Sequence, residues 1–474
     1  MRITPAHSSR RLWAVLNAVG LSLVGLTALA PVAAGAPAAP PAAPYGAYVS
    51  ITPARVLDTR SGFGTTHAGP VGAGQVLTTA LAGRGGLPAA ANISAVVVNL
   101  TVTAPTSGTY LTAYPADVTR PTVSSINVPA GLTAANLVTL PLHANGSVSV
   151  FNSSGSVQVL IDVLGYYSAL DPGNGNGGYS QVTPRRKFDS RDPASFTGGA
   201  PFGDGDGVVV GYDFGSVASN AAVTAMVVTV TVVSPTAGGY VVAWDGTGTS
   251  LPPTSTLNFR SGQTVANLAI VPRGSDGTFP AFTAVVRVPG GTAHVLVDSI
   301  GVMTTTDPAA GGDDARFAPL PTPTRLIDTR NASTGGPALG AGQARGFGQG
   351  SIGDASSYAI AGNLTAVFPT ATTFLTVYPS DVTRPTVSSV NAGPSQVVAS
   401  GALVPLSLTS PRTLSDEFRI FNGAGTTNVI LDVAGTFQIA TPPAGTPARA
   451  GTVRGAAGGL RDSSGPAAAS RRAE

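Results

Sequence analysis

Apolar and polar residues alternate with a period of two in segments that recur along the chain. In "SAVVVNLTVT" Val96, Val98, Leu100 and Val102 share one face of an extended strand, while Asn99, Thr101 and Thr103 share the other. A second segment repeats this with Met226, Val228, Val230 and Val232 against Thr229 and Thr231, and a third does so more weakly with Ile360, Gly362, Leu364 and Ala366. "PTSG" then turns the chain into "TYLTAY", which alternates again. No stretch carries helical spacing. Short strands with one apolar face predict an all-β chain of antiparallel β-sandwiches; the pattern leaves small β-barrels open as the alternative. The composition agrees, with 60 Gly and 39 Pro punctuating Val- and Thr-rich runs.

The strands belong to three copies of one unit. "ITPARVLDTR" at Ile51, "VTPRRKFDSR" at Val182 and "PTPTRLIDTR" at Pro321 open the copies. "VQVLIDVLGYY" at Val157, "AHVLVDSIGVM" at Ala293 and "TNVILDVAGTF" at Thr427 close them. Each copy is far longer than the roughly 20–45 residues of a solenoid repeat, so each is a small domain. The expected organisation is a signal peptide over 1–36, an Ala/Pro-rich linker over 37–47, and β-domains over 48–169, 181–304 and 317–438. Linkers over 170–180 and 305–316 separate the domains, and a disordered tail runs over 439–474. Within units one and three, "YPADVTRPTVSSINV" at Tyr114 returns as "YPSDVTRPTVSSVNA" at Tyr378, whereas unit two has "WDGTGTSLPPTSTLNF" there.

The N-terminus changes the expected location. "MRITPAHSSRR" is a positive leader start, Leu12 to Ala30 is apolar, and small residues follow in "PVAAGAPAAP", the pattern of a cleavable secretion signal. The pair Arg10-Arg11 leaves the general and twin-arginine export routes both open. No second apolar span follows, so the expectation is a secreted or extracellular protein, cell-wall associated at most, with no membrane span after cleavage. The absence of cysteine excludes disulfides, thiolate metal sites and a cysteine nucleophile. Although the net charge is +3, the leader carries Arg2, Arg10 and Arg11, and the tail carries five arginines against two acids. The repeat region is therefore net acidic, without a basic stripe for phosphates, and nucleic acid is not an expected partner.

The order R-x-L-D-T-R, a Val-rich strand, Y-L-T-x-Y-P, R-P-x-x-S-x-x-N and V-D-V-x-G-Y-Y resembles a repeat module of secreted actinobacterial proteins, over nearly all of Ile51 to Phe437. Such modules occur in tandem or appended to secreted hydrolases. The resemblance implies secretion and a tandem β-architecture, and it assigns no activity.

Two sets of residues are candidates for function. Arg55, Asp58 and Arg60 return as Arg186, Asp189, Arg191 and as Arg325, Asp328, Arg330; Asp162 returns as Asp298 and Asp432 between apolar neighbours. A carboxylate buried there needs a cation, and an opening-strand arginine can hold it bidentately, which predicts an ion-pair clasp between first and last strands. The second set is aromatic. Tyr110 and Tyr114 share a strand face, with Tyr240 and Trp244, then Phe374 and Tyr378, as equivalents. Together with Asp117, Arg120, Asp381 and Arg384 of the duplicated stretch, they form a candidate ligand surface in which flat rings stack on sugars.

No catalytic constellation is legible. His67, His143 and His294 are not equivalent, and G-x-S-x-G, H-E-x-x-H and phosphate-loop motifs are missing. "GDGDG" at Gly203 lacks the terminal glutamate of a calcium loop and reads as a turn. No cofactor or metal is expected. The expected function is non-catalytic binding of a cell-wall or extracellular polysaccharide, or of an envelope protein. A secreted hydrolase with an unrecognised carboxylate site and a passive surface scaffold are the alternatives.

Overall fold

The computed structural model describes residues 46–169, 177–248, 250–305, 315–354, 356–407, 416–439 and 469–472. The expected signal peptide and most of each expected linker lie outside them. Unit one forms β1 (Tyr48–Asp58), β2 (Val76–Ala80), β3 (Ile93–Thr103), β4 (Thr109–Pro115), β5 (Ile126–Val128), β6 (Ala134–Pro141), β7 (Ser147–Asn152) and β8 (Gln158–Ser168). They lie in two antiparallel sheets, ordered β1-β8-β3-β6 and β2-β7-β4-β5. That interleaving of eight strands over two sheets is the order of a jelly roll. Val96, Val98, Leu100 and Val102 of β3 pack against Leu111, Ala113, Val148 and Val150 of the facing sheet.

Unit two repeats the order with β9 (Tyr179–Asp189), β10 (Gly207–Gly211), β11 (Val223–Val233), β12 (Gly239–Trp244), β13 (Leu257–Phe259), β14 (Val265–Pro272), the short β15 (Gly274–Ser275), β16 (Pro280–Arg287) and β17 (His294–Thr304). A helix, α1 (Val217–Ala222), leads into β11; the Ser216 hydroxyl caps it by accepting from the Ser219 N–H at 3.0 Å. Unit three has β18 (Ala315–Asp328), β19 (Ala344–Phe347), β20 (Ser357–Val367), β21 (Thr373–Pro379), β22 (Val390–Ala392), β23 (Val397–Pro405), β24 (Phe418–Asn422) and β25 (Asn428–Ile439). None of the sheets among the described residues closes on itself, so the barrel alternative gives way to three sandwiches. In the stretch expected to be a disordered tail, Ile439 still belongs to β25, and β26 (Ala469–Arg472) pairs antiparallel with β10 at the edge of unit two. No helix among the described residues is long and apolar enough to cross a membrane.

The three units are not strung out. A fourth core takes Tyr48, Ala95, Val97 and Tyr167 from unit one, Tyr179, Ala225, Val227 and Met303 from unit two, and Phe317, Ala359, Ala361 and Phe437 from unit three. Phe437 packs on rings from all three, with centroids 5.7 Å from Tyr167, 5.0 Å from Tyr179 and 5.4 Å from Phe317. The starts of the three opening strands also meet there. Gly46 bridges Phe317, Ala315 pairs with Tyr179, and the Tyr48 N–H donates to the Gly177 carbonyl at 3.2 Å. Residues 46–47, 177–180 and 315–316, expected as linker ends, are thus part of the centre, because Ala47, Tyr179 and Ala315 bury fully there. The same packing buries the polar face of the Val-rich strand as well. Asn99 and Thr101 are 2% and 4% exposed, as the neighbouring units cover that face.

The glycine of each closing motif has a specific cause. Gly165, Gly301 and Gly435 lie under the rings of Tyr48, Tyr179 and Phe317, and a Cβ at any of them would overlap the ring.

Candidate functional site

Opening and closing strands pair in the same register in every unit, setting Arg55 beside Asp162, Arg186 beside Asp298 and Arg325 beside Asp432. Arg55 donates from Nε and Nη2 to the two Asp162 oxygens at 2.8 and 3.0 Å, and Arg325 does the same to Asp432 at 2.8 and 3.1 Å. Arg186 grips Asp298 at 2.5 and 3.4 Å. The outer carboxylates Asp58, Asp189 and Asp328 sit at the other end of the same guanidiniums. They also accept from the side chains of Arg60, Arg191 and Arg330, at 2.7 Å for the shorter contact in each case.

These clasps also hold the neighbouring unit. Arg55 Nη2 donates to the Pro253 carbonyl of unit two at 3.2 Å, and Asn99 donates to the Ser255 carbonyl. Arg186 donates to Thr386 of unit three at 3.4 Å, and the Ser388 N–H faces Asp298. Asp432 accepts from the Ser124 N–H of unit one at 3.1 Å, while Asn363 donates to the Ser124 carbonyl at 2.6 Å. Ser124, Ser255 and Ser388 are equivalent positions, so the loop of unit one enters unit three, that of unit three enters unit two, and that of unit two enters unit one. The ring of contacts closes.

Asn136 and Asn267, in the repeated "ANL" that the sequence reading passed over, reinforce it. Asn136 accepts from the Gly401 N–H at 2.7 Å while donating to its own loop at Ser125, and Asn267 accepts from the Leu137 N–H at 3.3 Å.

Burial pushes the inner carboxyls of Asp162, Asp298 and Asp432 up from the ordinary range, with their arginines opposing. Hydrogen bonds from Arg60 and Arg330 pull Asp58 and Asp328 down. At Asp189 burial acts upward, and the hydrogen bonds and charge of Arg191 and Arg186 outweigh it. The lowered group stabilises the fold fully above the unfolded carboxylate value of about 4 and loses that contribution as pH falls through its folded value. The raised group does the reverse, favouring the fold as pH drops toward about 4. The melting temperature is therefore expected to hold from neutrality to about pH 4 and to fall below it. Converting Asp58, Asp189 and Asp328 together to Asn should flatten that fall; an acid limb unchanged in the triple variant would assign it to other groups.

The aromatic pairs do not form one open platform. Tyr110 and Tyr240 are 41% and 39% exposed, and Phe374 is half-buried, but Tyr114, Trp244 and Tyr378 are buried. The loop that follows each pair folds back over the strand. Thr112 donates to the Val123 carbonyl at 2.7 Å, Thr376 to Val387 at 2.6 Å, and the Trp244 indole N–H to Thr247 at 3.1 Å. A smaller aromatic patch remains in units one and three. Arg120 lies 3.7 Å above the Phe151 ring and Arg384 4.0 Å above Phe421. Tyr110 and Phe374 stand beside those rings at 6.2 and 5.8 Å. Asp117 is engaged by His143 Nδ1 at 2.6 Å, whose Nε2 meets the Pro321 carbonyl of unit three at 3.1 Å. Asp381 is exposed and also has an intramolecular partner. In unit two Val285 occupies the position of the stacked phenylalanine and packs with Val242 and Trp244.

His294 and the aspartates of "GDGDG" are held locally. His294 meets Ser190 at 3.0 Å, but Thr59–Gln158 and Thr329–Asn428 make the same cross-strand bond, and Ser190 is fully buried. In "GDGDG", Asp204 pairs with Arg287 at 3.1 Å and Asp206 accepts from the Gly203 N–H at 2.9 Å.

Fold and clasps define a single chain of three jelly rolls closed into a ring. No family profile and no curated protein sequence matches it. Two solved structures align with most of its length. One is reported as the atomic structure of Sulfolobus turreted icosahedral virus (10% identity over 84% of this chain and 92% of that one, TM-score 0.16). The other is reported as the triple jelly roll fold and turret assembly in an archaeal virus (10% identity, 83% and 90%, TM-score 0.16). At that TM-score neither supports a conclusion about this chain, and the jelly-roll assignment rests on strand order.

Proposed function

We propose that the chain is a secreted, non-catalytic binding protein of the cell envelope, whose ligand-facing parts are the two aromatic–arginine patches of units one and three. One observation carries this reading. The unit-two loop docks into its neighbour through Pro253 and Ser255 although it lacks the D-V-T-R residues. Docking therefore accounts for the second half of the duplicated stretch and leaves Arg120 and Arg384 unexplained. Both guanidiniums are exposed, and neither donates a side-chain hydrogen bond to any described residue. The clasp carboxylates, by contrast, are tied to arginines and to backbone, which disfavours a hydrolase built on them, since none of the six is left free as an acid.

The test is retention of the mature chain on isolated cell walls, compared with Arg120→Ala, Arg384→Ala and the double variant. Two linked sites on a polymer give avidity on the order of 10²-fold, so each single variant should lose most of the retention and the double little more. Equal retention of all four proteins would leave a passive scaffold as the better reading.

A further inference from the structure

We infer that the two patches select carboxylate-bearing polysaccharides: a sugar ring stacks on Tyr110 or Phe374 while a carboxylate of the same polymer is held by Arg120 or Arg384. The inference rests on the binding role proposed above and gives it a ligand class.

Four observations lead there. With its central carbon 3.7 or 4.0 Å from the ring centroid, each guanidinium rests on a phenyl face, which fixes its position. Its N–H donors make no hydrogen bond to a described residue, and a planar fork with unused donors matches a carboxylate in two parallel hydrogen bonds. The clasp arginines in the same chain show that pairing: Arg325 holds Asp432 through Nε and Nη2 at 2.8 and 3.1 Å. At Arg120 and Arg384 no carboxylate among the described residues fills the place. Asp117, three positions before Arg120, is turned to His143 instead.

The ring beside each cation, exposed at Tyr110 and half-buried at Phe374, supplies the second half of the site. Tyr110, 41% exposed, offers a flat apolar face of the kind that packs on the C–H face of a pyranose. Phe374 keeps the ring and lacks the hydroxyl, so stacking is common to both patches and a phenolic hydrogen bond is not. Unit two lacks the cationic half of the site. It has neither an arginine equivalent to Arg120 nor a phenylalanine at Val285, although Tyr240 persists. Loss of cation and support together is what a shared ligand role predicts for a copy that has left that role.

Affinity electrophoresis of the whole mature chain tests this with four gels, containing polygalacturonate, its fully methyl-esterified form, a neutral glucan and polyphosphate. Retardation is expected in polygalacturonate alone. It should weaken roughly tenfold or more in Arg120→Gln/Arg384→Gln, as expected for loss of a charge-assisted hydrogen-bonded pair, and also in Tyr110→Ala/Phe374→Ala. Unchanged melting temperatures would show that these substitutions leave the fold intact. Equal retardation by the methyl ester or the glucan would overturn the carboxylate assignment while leaving glycan binding in place. Equal retardation by polyphosphate would reduce the patches to simple anion exchangers and overturn it too. Retention on cell walls without retardation in any gel would overturn the ligand class alone. No retention on walls and none in the gels would overturn the binding role with it.

Discussion

Asp432→Ala is expected to lower the unfolding free energy of the chain by about 3–5 kcal/mol, the cost of removing one partner from a buried ion pair. Asp432 is 4% exposed and holds three groups: Nε and Nη2 of Arg325, and the Ser124 N–H of unit one. Alanine leaves the guanidinium without its carboxylate, and it leaves a backbone donor from another unit unsatisfied. Asp432→Asn keeps the shape and one acceptor oxygen, so it should cost less. The midpoint of urea denaturation measures both, and an unchanged midpoint for the alanine variant would show that neither the pair nor the docked loop contributes to stability.

Phe437→Ala is expected to cost a similar amount, about 3–5 kcal/mol for a fully buried phenylalanine, and to act on all three units at once. Its ring touches Tyr167, Tyr179 and Phe317, one from each unit, at the centre of the core they share. In the unaltered chain, calorimetry should give one cooperative transition, because melting any unit exposes the central face of the other two. The variant should broaden or split that transition. Three separate transitions in the unaltered chain would refute the common core as an energetic unit.

Much of this architecture is legible in the sequence, and the limits have physical causes. The alternation of Val96, Val98, Leu100 and Val102 identifies the inner face of β3, since a strand can hide only every second residue on one side. The same alternation assigns Asn99 and Thr101 to the other face but says nothing about what covers it. A hint was present: Ala95 and Val97 share that second face, giving the near-continuous apolar run of a strand buried on both sides. Arg55 and Asp162 are suggested as partners because charged residues recur at both ends of each unit. The destination of the duplicated loop has no such local trace, as Ser124 and Asp432 lie 308 positions apart and belong to different copies. The aromatic pairs fail for a related reason. Spacing of four places Tyr110 and Tyr114 on one face, yet a loop folding back at Thr112 decides which of them stays open.

The meeting of the opening strands at the centre has a consequence for connectivity. Gly46, where unit one begins, bridges Phe317 of β18, and Ile439, where β25 ends, pairs with Ala315 of the same strand. The two ends of the ring therefore arrive at neighbouring points, two residues apart along one backbone. Since each loop enters a neighbour in the same rotational sense, no unit is intrinsically first. The junction between units three and one is one of three equivalent places in the ring of clasps, and a circularly permuted chain that starts at unit two, with unit three joined to unit one by a short bridge, would keep every clasp.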